Sequence, residues 1–228
     1  MVLSTVSFSA IVVLQACSVS ERKPAGEVAT GLRDSVTVVY KHFVGKAVHG
    51  DFNGDGVQDT VREGLITLNT RLPIDSFPDP EHTLWDSLLV YSDKHRFCSI
   101  LTTSGSLADT LFAGSGLGFY VVLNVGDVNG DGTDELALVH DVIDFSNLNT
   151  CQIYSLCKER WRQVKQFSVT EDAFTNILDI NPAVFNNIPA HLEQRNNRWF
   201  YRDYMKWLSS KDTSAQAEIT LLTAGPCK

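Results

Sequence analysis

No stretch beyond residue 17 is long or apolar enough to cross a bilayer as a helix. Basic residues are scarce: 19 Lys and Arg stand against 27 Asp and Glu, a net charge of −8. Nucleic acid, which needs a basic face, is therefore not an expected partner. Low-complexity tracts are missing. None of the six histidines (His42, His49, His82, His95, His140, His191) stands in a metal-ligand pair such as HExxH, none adjoins a cysteine, and no CxxC pair occurs. Gly114-Ser115-Gly116-Leu117-Gly118 lacks the strand–turn–helix setting of a nucleophile elbow or phosphate loop and reads as a flexible loop. His140 and Asp141, near Asp144, are expected as solvent-facing residues of a strand rather than an acid–base pair. No catalytic set emerges, and the chain reads as a non-enzyme.

What the chain does have is a nine-residue acidic pattern used twice. Asp51-Phe52-Asn53-Gly54-Asp55-Gly56-Val57-Gln58-Asp59 and Asp127-Val128-Asn129-Gly130-Asp131-Gly132-Thr133-Asp134-Glu135 both read D-x-N-G-D-G-x-x-[DE], each after a glycine. The spacing sets side-chain oxygens at positions 1, 3, 5 and 9, with the carbonyl of Val57 or Thr133 between them. An all-oxygen set of this size and charge suits Ca²⁺ better than Mg²⁺, and glycine at position 6 permits the turn around an ion. Asn-Gly and Asp-Gly are also common hairpin turns, but a plain turn needs no carboxylates at positions 1, 5 and 9. Asp134, at position 8, is expected to face solvent.

An EF-hand would require a bidentate Glu at position 12 and flanking helices. Position 12 is Arg62 or Leu138, and the flanks Val121–Val125, Thr60–Leu68 and Leu136–His140 are β-branched and apolar, so the unit is strand–loop–strand. Residues 126–139 (Gly-Asp-Val-Asn-Gly-Asp-Gly-Thr-Asp-Glu-Leu-Ala-Leu-Val) and 50–61 (Gly-Asp-Phe-Asn-Gly-Asp-Gly-Val-Gln-Asp-Thr-Val) resemble the FG-GAP/VCBS-type repeat, the calcium-loop blade of integrin-like β-propellers and many bacterial surface proteins. The resemblance implies that each loop joins the first two strands of a four-stranded blade. It also implies calcium ligands at Asp51, Asn53, Asp55 and Asp59, then Asp127, Asn129, Asp131 and Glu135; the last departs from the commoner Asp.

Reading on from each loop gives a similar series. The first repeat predicts strands at Thr60–Leu68, Leu84–Tyr91 and Arg96–Thr102, with a proline-marked loop around Pro73, Pro78 and Pro80; the second predicts strands at Glu135–Val142, Cys151–Leu156 and Trp161–Val169. The fold class is thus mainly β: antiparallel, four-stranded, blade-like repeats over 35–170, as a partial or small β-propeller-like stack or a compact β-sandwich. A less regular segment, 171–228, would pack on them. It carries a short helix over Glu171–Leu178, an aromatic run Arg198–Leu208 and a last strand near Ala217–Leu222. The aromatic run reads as core, with an exposed binding strip as the other reading.

The first residues carry a localisation signal. Val6–Leu14 is a short apolar core, and Leu14-Gln15-Ala16-Cys17 resembles the lipobox of bacterial lipoproteins, although Met1–Ala10 has no Lys or Arg. A signal peptide over 1–16, lipidation of Cys17 and a polar tether over 17–34 would place the protein in a bacterial cell envelope, anchored to the outer membrane. Cys98, Cys151, Cys157 and Cys227 remain, and in an exported chain at least one disulfide is expected among three connectivities. Together these features imply a calcium-binding envelope lipoprotein that presents a surface to a protein or glycan. A second reading is a secreted or anchored hydrolase with a site in the C-terminal segment.

Overall fold

The short β-branched runs form strands, and every pairing among them is antiparallel. The computed structural model describes residues 39–104, 110–142, 146–174, 186–210 and 219–225, all within the unit Val36–Lys228. In chain order they form β1 (Tyr40–His42), β2 (Ala47–Gly50), β3 (Asp59–Thr67), β4 (Ser76–Pro78), α1 (Trp85–His95), β5 (Phe97–Ser104), β6 (Leu111–Gly114), β7 (Phe119–Gly126), β8 (Glu135–His140), β9 (Leu148–Cys157) and β10 (Arg160–Thr170). A 3₁₀ turn at Glu171–Phe174, β11 (Leu192–Arg195), β12 (Arg198–Tyr201), α2 (Tyr204–Ser209) and β13 (Thr220–Leu221) follow.

Three meanders result. The first sheet has the order β2-β3-β5-β6, the second β7-β8-β9-β10, and the third β11-β12-β13; β1 pairs with β4 alone. The fold is therefore mainly β, with two four-stranded antiparallel sheets. In each of these the acidic loop connects the first two strands.

Side-chain alternation explains how the sheets layer. In β8 every residue is buried, because the strand is covered on both faces. Leu136 and Leu138 pack with Val61, Leu101 and Leu111 of the first sheet. Ala137 and Val139 pack with Leu192, Trp199 and Leu222 beside the third. The second sheet is thus the middle layer. The first sheet is an end layer: its other face carries exposed Arg62 and Thr102 and Phe112, 47% exposed, under the Arg71 guanidinium. Where the inner face of the first sheet runs past the second, Phe77 of β4, Leu88 of α1, Phe43 and Leu117 close over Leu65 and Phe97.

A polar strap fastens the first two sheets at the end of β7 remote from the acidic loop. The buried Glu63 carboxylate accepts hydrogen bonds from Phe119 N (2.7 Å) and Lys46 N (2.9 Å). The Lys46 ammonium reaches the same carboxylate at 3.3 Å and the Phe119 carbonyl at 2.6 Å. Ser99 Oγ accepts from Gly118 N at 3.0 Å and lies 2.9 Å from His140 Nε2. Gly118 has φ +119°, and a Cβ there would sit 2.5 Å from Glu63 Oε1. Gly118→Ala is accordingly expected to cost about 3 kcal/mol in urea unfolding, combining backbone strain with a displaced buried carboxylate.

Several expectations are corrected here. Leu84–Tyr91 is not a strand: positions 85, 88, 91 and 95 recur at helical spacing, Asp86 lies in the first turn, Lys94 and His95 in the last, and Arg96 at φ 49° ends α1. Gly114–Gly118 is docked rather than loose, with Leu117 buried and its N–H on the Asp141 carbonyl at 3.0 Å. His140 is buried and Asp141 lies in the same packed junction, because β8 is central and not solvent-faced; Asp144 falls outside the described residues. The expected disulfide is present at Cys157, whereas Cys98 and Cys151 are buried and not in a disulfide. Cys17 and Cys227 also lie outside them. Of Glu171–Leu178, residues 171–174 form the 3₁₀ turn and the rest is not described. Lys158 and Glu159, both at positive φ, make the turn between β9 and edge strand β10.

Candidate metal centre

The main-chain N–H groups of the two acidic loops bond the same side-chain oxygens, position for position. Between β2 and β3, Asp51 Oδ1 accepts from Gly54 N (2.8 Å) and Asp55 N (3.1 Å), and Oδ2 accepts from Gly56 N (2.8 Å). Between β7 and β8, Asp127 Oδ1 accepts from Gly130 N (2.6 Å) and Asp131 N (3.2 Å), and Oδ2 from Gly132 N (2.9 Å). Asn53 Oδ1 accepts from Asp55 N at 2.9 Å, and Asn129 Oδ1 from Asp131 N at 2.8 Å. Asp55 Oδ1 accepts from Val57 N at 2.7 Å, and Asp131 Oδ1 from Thr133 N at 3.1 Å. The glycines at positions 4 and 6 have φ between +75° and +89° in both copies, which is why the motif requires them.

The ninth residue opens the next strand and points back under the loop. Asp59 Oδ2 accepts from Phe52 N at 3.2 Å. Glu135 Oε2 accepts from Val128 N at 2.8 Å, and its Oε1 from Asn129 Nδ2 at 2.7 Å. Asp59 is 9% exposed and Glu135 fully buried. Burial pushes the Glu135 carboxyl up to about 7; the Val128 N–H opposes this, while Asp131 and Asp127 add to it. Burial raises Asp59 in the same direction, with Asp55 and Asp51 contributing. A buried acid facing two further acids is costly unless a positive charge offsets it.

The side-chain donors of each loop are oxygens, the type a hard cation takes. Besides the carboxylates and the Asn side-chain oxygens, the carbonyls of Val57 and Thr133 accept no hydrogen bond among the described residues. The carboxylates of one loop do not crowd together. Among the described residues, the group of three acid or imidazole atoms within 4.8 Å of one another is Asp79, Glu81 and His82, an Asp-Pro turn on the surface. Each loop instead spreads its acids around a ring of amide and carbonyl groups, and the main-chain N–H groups hold them in place.

Asp134 does not face solvent: its Oδ2 accepts from Asp51 N (3.0 Å) and Asn124 Nδ2 (2.8 Å), and its own N–H donates to the Asp51 carbonyl at 2.8 Å. Asn124 Nδ2 also donates to the His49 carbonyl at 3.0 Å. The two loops therefore lie side by side. No pattern within either copy signals this, because it depends on β2 and β7 being neighbours.

The aromatic run does not converge on a common site. Trp199 is buried at the wall of a cleft of about 730 Å³ shared with Leu123, Asp127, Gln194, Asn197 and Arg198. Tyr201 packs on Phe167 under Lys165, whereas Tyr204 lies against Trp207 and His191. The nearby carboxylate, Asp203, caps α2 and bonds Ser168 Oγ. No protein-family model, curated protein or solved structure matches this chain.

Proposed function

We propose that the chain is a calcium-stabilised β module of the bacterial cell envelope, of the FG-GAP/VCBS type, that presents a surface to a protein or glycan. The observation that carries the calcium reading is the duplicate loop: two segments 76 residues apart, at the same place in two four-stranded sheets, with the same hydrogen-bond scheme. Asp51, Asn53, Asp55, Asp59 and the Val57 carbonyl would hold one ion. Asp127, Asn129, Asp131, Glu135 and the Thr133 carbonyl would hold the other. The ion supplies positive charge where each sheet begins, and the chain supplies the turned backbone that presents the oxygens.

Envelope placement rests on the lipobox-like Leu14–Cys17 and the apolar run before it. It is tested separately: Cys17→Ser is expected to abolish incorporation of labelled fatty acid.

For the loops, calorimetric titration of the chelator-stripped protein with calcium should give two equivalents bound, at affinities of roughly 10⁻⁴–10⁻³ M for an extracellular module. Asp51→Ala and Asp127→Ala should each remove one equivalent. Absence of saturable heat in the stripped wild-type protein would sink the calcium reading.

A further inference from the structure

Resting on the calcium reading above, we infer that Asp134 is a positioning residue that couples the two loops, so that an ion in one strengthens binding in the other. Asp134 belongs to the second loop by sequence, at position 8, yet its carboxylate serves the first. It accepts from the N–H of Asp51 at 3.0 Å, and its own N–H donates to the Asp51 carbonyl at 2.8 Å. Asp51 is the residue whose two oxygens organise the first loop, through Gly54, Asp55 and Gly56.

Asn124 completes the link by donating to Asp134 Oδ2 and to the His49 carbonyl just before the first loop. Space is tight at this junction: a Cβ on Gly50 would lie 2.4 Å from Asn124 Nδ2 and 2.7 Å from Asp134 Oδ2. The backs of the loops also touch, since a Cβ on Gly54 would lie 3.1 Å from the Gly132 carbonyl. The first loop offers no reciprocal arm, because its position 8 is Gln58, which is exposed.

Two effects set the sign of the coupling. A first dication weakens the field that attracts the second, but both loops are largely exposed and such fields are screened within about 8–10 Å at moderate salt. Against this, fixing a loop residue costs about 1–2 kcal/mol of backbone freedom. An ion that orders the first loop fixes Asp51, and through it Asp134 and the rim of the second loop. The ordering is then shared, and the coupling is positive and reciprocal.

The test is calorimetric titration of the full chain with calcium alone. Disabling the first loop by Asp55→Ala should weaken the remaining site by about 10-fold relative to its affinity in a doubly competent protein, and Asp131→Ala should do the same in reverse. With Asp134→Ala added, each site should become indifferent to the other, within about two-fold. Asp134→Asn keeps the acceptor without the charge and should restore the coupling. Equal affinities with and without a working neighbour, in protein that retains Asp134, overturn the inference without needing the Asp134 variants to fold. An Asn variant that behaves like Ala overturns the hydrogen-bond route. No binding to either loop removes the calcium reading and this inference together.

Discussion

Stripping calcium is expected to lower the melting temperature of this protein by about 10 °C. A site half-filled near 10⁻⁴–10⁻³ M and exposed to calcium at 10–100 times that value stabilises the folded state by roughly 1.4–2.7 kcal/mol, so two sites contribute about 3–5 kcal/mol. For a domain of this size each kcal/mol moves the midpoint by about 2–4 °C. The double variant Asp55→Ala plus Asp131→Ala should melt near the stripped protein and ignore added calcium. The reason is electrostatic: the Glu135 and Asp59 carboxyls are buried and each feels the charge of two further acids of its loop, and nothing else of opposite charge is bonded to them among the described residues. Scanning calorimetry with calcium, with EDTA, and with magnesium instead decides the matter. A midpoint that ignores chelation in the unmodified protein would count against a structural ion.

The second large effect concerns acid. Burial holds His140 down to about 4 and pushes Asp141 up to about 6. For His140, the unfolded chain takes up a proton below the ordinary value of about 6.5 while the folded protein resists until about 4. Its stabilising contribution is present above pH 6.5 and lost as pH falls through 4, to the extent of about 3 kcal/mol. Asp141 runs the other way. Its contribution is present below the ordinary value of about 3.8 and lost as pH rises through 6, again about 3 kcal/mol. The two nearly cancel over the same window, so this junction should give little net pH dependence in the wild-type protein. Removing one partner unmasks the other. His140→Gln should grow more stable on acidification from pH 6.5 to 4, and Asp141→Asn should grow less stable. Urea midpoints at a series of pH values, compared as slopes, separate this from the uniform packing loss either change also causes. Parallel curves for both variants and wild type would refute the compensation.

Strand positions were legible where local pattern and tertiary setting agree. Val121–Val125, Glu135–Val142 and Trp161–Val169 are short runs rich in β-branched and apolar residues, and they became β7, β8 and β10. The loop scheme was legible for the same reason: glycines at positions 4 and 6 and acids at 1, 5 and 9 are local requirements of one turn. Leu84–Tyr91 was misread because Leu88-Leu89-Val90 is a compact apolar run, and the helical spacing shows only when the segment is followed on to His95 and its end signals. The roles of His140, Asp141 and Asp134 were not legible at all. Each depends on which face of a sheet meets another sheet, and two-residue alternation names a face without naming what covers it. Glu63 is the same case from the other side: an acid in the middle of a strand reads as solvent-facing, yet it is the centre of the strap.

β7 is bolted at both ends by unlike means. At Phe119 its main chain is gripped by Glu63 and Lys46, a fastening made wholly of protein. At Gly126 it runs into the acidic loop, whose partner loop is tied on through Asp134. Amide exchange should therefore open in a graded way when divalent ions are scarce. Protons near Asn124 and His49 would be released first, while those at Phe119 and Gly118 persist until the whole stack comes apart. Ion depletion would then leave the protein unlatched along one margin only, and open there to limited proteolysis.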